Sequence, residues 1–190
     1  MTDRATVEER YSRANNSSNL TVDEIRTGDA DVLIAAGWAR HRIGSALLRL
    51  HSEWDGAEKP RLHARTPEAR AWLMHEQMIL VAKLKTMPAL REQVGIQAEK
   101  WGWPEPYMRG AEILLWWLDQ TCHACHGACY ELIPGTNRLG NKACKTCSGS
   151  GRSRAPHGSE GKRLANWIDE CIQIARTQIK KHLRAHPISC

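Results

Sequence analysis

The chain has 190 residues, 42% of them apolar, and a net charge of +6, enough to bury one medium core and too apolar for a disordered chain. No apolar run nears the roughly 18 residues of a spanning helix, and the start, MTDRATVEERYSRANNSSN, is too polar for a secretory signal, so a cytoplasmic protein is expected. The charge is uneven: residues 138–190 hold eleven Lys/Arg against three acids, whereas 1–137 hold sixteen against eighteen.

Residues 1–20 lack periodicity and read as a flexible arm. A helical domain is expected over 21–120. Thr21 to Glu24 has capping-box spacing, and Asp29 can cap the helix after it. In DADVLIAAGWARHRIGSALLRLHSEWDG, the residues Val32, Ala36, Ala39, Ile43, Leu47, Leu50 and Trp54 recur every three or four positions, predicting one long amphipathic helix ending near Gly56. A polar linker comes next. Thr66-Pro67-Glu68 then opens a second helix to Met87, with Ala69, Trp72, Leu73, Ile79, Leu80 and Leu84 on its inner face and Pro88 as its stop.

Two shorter helices, about 88–101 and 105–120, are separated by GWPE. Ala98, Gly102, Trp101, Trp103, Met108 and Ala111 have the spacing at which two helices cross over a tight turn, so 88–120 reads as a helix-turn-helix. Its second helix would present Glu105, Tyr107 and Arg109 to DNA, with Trp103 beside them. An ordinary helix pair with core tryptophans has the same pattern. Trp116 and Trp117 are adjacent, so one of them is free to meet the next segment or a partner.

That segment, 121–155, holds Cys122, Cys125, Cys144 and Cys147 as C-x2-C-x18-C-x2-C, the spacing of a four-thiolate zinc site. Two residues between cysteines let both sulfurs of a turn face one ion, and Gly127, Gly149 and Gly151 allow the positive φ values such turns use. The intervening residues suit a short two-stranded excursion with Pro134-Gly135 at its tip. Cys122, Cys125 and His126 also read C-x-x-C-H, a haem-attachment motif, but this leaves the second pair without a role. A redox dithiol needs only one pair. With four thiolates present, Cys129, His123 and His126 are bystanders; Cys171 and Cys190 lie outside the cluster.

Residues 156–190 form a basic helix packing on the body, with Leu164, Ile168, Cys171, Ala175, Ile179 and Leu183 on one stripe. Arg152 and Arg154 before it and Lys162 and Arg163 within it are the candidate phosphate contacts of this C-terminal part, although a solvated helix would carry the same kind of charge. The fold expected is mainly α, a helical body with a helix-turn-helix and an inserted four-cysteine zinc knuckle. No paired carboxylates at ligand spacing, Gly-rich phosphate loop or nucleophile elbow occurs, so no enzyme is expected.

Three stretches in this order, DVLIAAGWARHRIGSALL, AEKWGWPEPYMRGAEILLWWLDQ, and CHACHGA through CKTCSGSGRSRAP, make the chain resemble the Q-type transcription antitermination proteins of lambda-like bacteriophages. Cys129 stands where the knuckle pattern has Gly. The resemblance implies a phage regulator that binds double-stranded DNA at a late promoter and contacts paused bacterial RNA polymerase holoenzyme near its sigma factor and flap. It would then travel with the polymerase through terminators. A conventional helix-turn-helix regulator and a zinc-knuckle chaperone or adaptor are the competing readings.

Overall fold

The computed structural model describes residues 5–18, 20, 28–57, 67–133 and 138–185. The described residues form a mainly helical body bearing one two-stranded sheet, with α1 (Val7–Asn15), α2 (Asp29–Gly37), α3 (Arg42–Gly56), α4 (Pro67–Lys83), α5 (Met87–Lys100), α6 (Pro106–Leu118) and α7 (Gly158–Ala185). Strands β1 (Tyr130–Leu132) and β2 (Leu139–Ala143) pair antiparallel between α6 and α7. None of these helices is long and apolar enough to cross a membrane.

The expected arm is instead partly helix. Thr6 accepts from the Glu9 N–H (3.3 Å), and the Glu9 carboxylate accepts from the Thr6 N–H (2.7 Å), which closes a capping box at the start of α1. Val7, Tyr11 and Ala14 then enter the core against α2 and α3. Asn15 donates to the buried Ser52 hydroxyl, tying α1 to α3. The signal lies in Thr6-x-x-Glu9, the same spacing as at Thr21, which with Glu24 lies outside the described residues.

The long helix expected over 29–56 is two. Its apolar stripe is as the periodicity has it, for Val32, Ala36, Ala39, Leu47, Leu50 and Trp54 are all buried, but the backbone breaks at 38–41. His41 holds the break: its ring nitrogen accepts from Gly44 N–H (3.1 Å), and its own N–H donates to Gln178 of α7 (3.1 Å). Gly44 lets α3 lie directly on α7, since a Cβ there would strike the carbonyl oxygen of Cys171. At the other end of α2 the cap is Gly28, whose N–H donates to Asp31, while the expected cap Asp29 pairs with Arg13 (3.2 Å).

The α7 stripe is buried from Leu164 through Ile168, Cys171 and Ala175 to Ile179, with Leu183 partly covered. In α4 only part of the expected inner face is inside: Leu80 is buried, and Leu84 just beyond it, while Trp72 and Ile79 are exposed. The side chains of Ala69 and Leu73 lie outside the described residues. Pro88 does not end α4 but sits in the first turn of α5, where a missing N–H costs nothing.

Candidate metal centre

Leaving α6, the chain is held at the neck of a loop: the Ser153 N–H donates to the Gln120 carbonyl (2.7 Å), and Thr121 bridges Arg152. Inside this neck the two cysteine pairs build matching halves. In each, the residue after the second cysteine and the next glycine take positive φ: His126 (49°) and Gly127 (82°), then Ser148 (53°) and Gly149 (81°). Seven residues after each first cysteine comes another left-handed residue, Cys129 (68°) and Gly151 (72°). These two cross-link the halves, since the Cys122 N–H donates to the Gly151 carbonyl and the Cys144 N–H to the Cys129 carbonyl, both 2.9 Å.

The result brings Cys122, Cys125, Cys144 and Cys147 together, all buried, with their four sulfurs within 4.8 Å of one another. Cys125 Sγ and Cys147 Sγ lie 3.7 Å apart. That is the edge, about 3.8 Å, of a tetrahedron whose centre lies ~2.3 Å from each sulfur. The four can hold a metal ion. Gly151 N–H points at Cys147 Sγ (3.3 Å), placing a donor where thiolate charge gathers. Burial pushes the Cys125 thiol up to about 11. Burial acts on Cys147 in the same sense, but the Gly151 N–H and the thiols of Cys125 and Cys144 outweigh it and bring this thiol down to about 6.

His123, His126 and Cys129 do not belong to the cluster. Cys129 is a half-buried free thiol 3.5 Å from the Gly127 carbonyl, lying over Gly151, where an added Cβ would come within 2.9 Å of its sulfur. Cys171 is separate as well, a buried thiol on α7 pushed up to about 11 by burial and by Glu170. Cys190, Pro134 and Gly135 lie outside the described residues.

The centre is braced on the body. Trp116 donates its indole N–H to the Ser153 carbonyl (3.2 Å) at the loop neck, and Trp117 donates to Asp169 of α7 (3.0 Å) while meeting the edge of His51. His157 and Glu112 are 2.7 Å apart, and Arg109 pairs with Glu160 (3.1 Å), so two polar struts join α6 to the start of α7.

The proposed DNA contacts divide. Trp103 is buried in the core beside Trp101, which withdraws it from any surface role. Arg109 is drawn down onto Glu160 and only a quarter exposed, so it is not the free side chain the helix periodicity suggests. Glu105 and Tyr107 are exposed, although the Tyr107 ring lies over Gly95 and its hydroxyl donates to Glu99 (3.2 Å). Arg152, Arg154, Lys162 and Arg163 are all exposed, and the Arg163 guanidinium sits 4.2 Å above the Trp101 ring. An apolar groove between α6 and the loop is lined by Leu115, Trp116, His123, Thr146, Arg154 and Pro156. No family model matches the chain, and neither a curated protein nor a solved structure matches it.

Proposed function

We propose that the chain is a phage transcription antitermination factor of the Q type, which binds DNA at a late promoter and modifies paused RNA polymerase to read through terminators. The observation that carries this reading is the union of a tightly turned helix pair, a four-cysteine loop and a basic helix into one braced unit, in the order the resemblance requires.

In this reading α5 and α6 are the helix-turn-helix. The turn suits it: Gly102 (φ 74°) ends α5, its N–H donating to Glu99 and that of Trp103 to Ala98, and Gly95 and Gly110 let the helices touch. The exposed start of α6, with Glu105 and Tyr107, meets base edges, while Arg163 at the turn and Arg154 beside Leu115 take the flanking phosphates. Arg109 becomes a positioning residue, holding α7 and its cations against α6. The ion is zinc, because four thiolates that fill a tetrahedron match its preference and leave no open position for catalysis. The protein then acts by binding alone, its DNA site concentrating it beside the polymerase.

A terminator-readthrough assay with purified holoenzyme tests this. On a template carrying the phage's own late promoter and a downstream terminator, the protein should raise full-length transcript, and deleting the DNA element should abolish the gain. Unchanged termination with altered initiation would make it a conventional regulator. Suppression of aggregation without DNA affinity would make it a chaperone.

A further inference from the structure

Away from the metal centre, α1, α2, α3 and the turn before α5 border an open, solvent-facing cavity of about 530 Å³. Its walls include Leu33, Ala36, Ala39 and Ala46, and its polar groups are Tyr11, Arg42, Ser45, Arg49, Lys85 and Thr86. Three of these are cations, and among the described residues no acid lines it. The nearby Glu53 is already committed: it accepts from the N–H (3.0 Å) and hydroxyl (2.7 Å) of Thr86 and pairs with Arg49 (3.3 Å). Those bonds fix the turn that carries Lys85. Arg42 and Lys85 have no ion-pair partner among the described residues.

Ser45 adds an independent sign. Its hydroxyl oxygen is the one buried side-chain polar atom without a hydrogen-bond partner among the described residues, and Ser45 lines this cavity. A buried hydroxyl is unfavourable to leave unpaired, and a rotamer change at the half-buried Ser45 would give this one a partner in the cavity. The first turn of α3 adds partial positive charge and the last turn of α2 adds negative, a smaller sum than the two unpaired cations Arg42 and Lys85.

We infer that this cavity is an anion site that takes a phosphate group, with Arg42 and Lys85 as its unpaired cations and the Ser45 hydroxyl able to donate once it turns about its Cα–Cβ bond toward the cavity. Phosphate fits because it offers several acceptor oxygens to donors converging from different elements. The alanine and leucine walls leave room for a small body attached to the phosphate, such as a nucleoside. The site is separate from the proposed DNA face.

The test uses the full chain with its metal, titrated by calorimetry with inorganic phosphate and with adenosine monophosphate against sodium chloride of equal ionic strength. Saturable binding of one phosphate-bearing probe per chain is expected. Arg42→Gln with Lys85→Gln should weaken it at least tenfold, Ser45→Ala several-fold, and Lys142→Gln on the exposed face of β2 not at all. A nucleotide binding at least tenfold tighter than phosphate would assign the apolar walls to the nucleoside; equal affinities would assign the site to the phosphate group alone. The proposal fails if neither probe binds above chloride, or if the Arg42/Lys85 variant binds as the parent chain does. Arg42 and Lys85 are exposed, so their loss leaves the core intact.

Discussion

The helical body and the cysteine loop are held together by different means. In the body Leu47, Leu50, Leu90, Val94, Ile113, Leu114, Leu164, Ile168 and Ile179 are all but sealed from water, and burial of their apolar surface drives folding. In the loop only the four cysteines are buried as a cluster, while Tyr130, Ile133 and Leu139 face outward. Two short strands with no apolar face to cover cannot stand alone in water. The body is thus stable through its side chains, whereas the loop has only its four cysteines, which can hold a metal ion, and the backbone bonds that cross its two halves.

The largest expected effect breaks this contrast open. Replacing Cys144 with Ser should abolish metal binding and unfold the loop, since site formation contributes on the order of 10 kcal/mol. The body should persist, so metal analysis should fall from one ion per chain to none while most helical circular dichroism remains. Collapse of the whole chain would show that the two regions fold as one. The converse is Ile168→Ala, which should cost the body about 2–5 kcal/mol in chemical denaturation and leave the metal content unchanged.

Gly44→Ala sharpens the point inside the body, because its methyl would meet α7 backbone, which cannot swing aside. A loss of about 1–3 kcal/mol is expected. Within the loop, Cys129→Gly should do the opposite. It relieves a non-glycine residue at φ 68° and so should stabilise the metal-loaded protein by roughly 1 kcal/mol with the ion retained. Loss of the ion from this variant would make Cys129 a ligand. Smallest is Arg109→Ala, about 0.5 kcal/mol, because its pair with Glu160 is partly solvated. Its effect on DNA affinity should exceed its effect on stability if it positions α7.

The same division separates the legible from the hidden. The four-cysteine cluster is legible because two close pairs of thiols at a fixed spacing have few other uses, and the repeated glycines announce the turns. The stripes of α3 and α7 are legible from period alone. The role of α1 is obscured by its polar surroundings, although Thr6 and Glu9 carry the cap. Arg109 is misplaced by periodicity, which gives a helix face and not what another helix lays across it.

The amino-acid sequence by itself determined the apolar stripes of α3 and α7 and the two close cysteine pairs, since each is set by residues close together along the chain. Only the tertiary structure decided that the 29–56 stretch breaks at His41, that Arg109 turns to Glu160 and Trp103 inward, and that Arg42, Ser45 and Lys85 share one cavity. Those outcomes rest on partners far away in the chain, Gln178 for His41 and Cys171 for Gly44 among them, and local propensity carries no information about such partners.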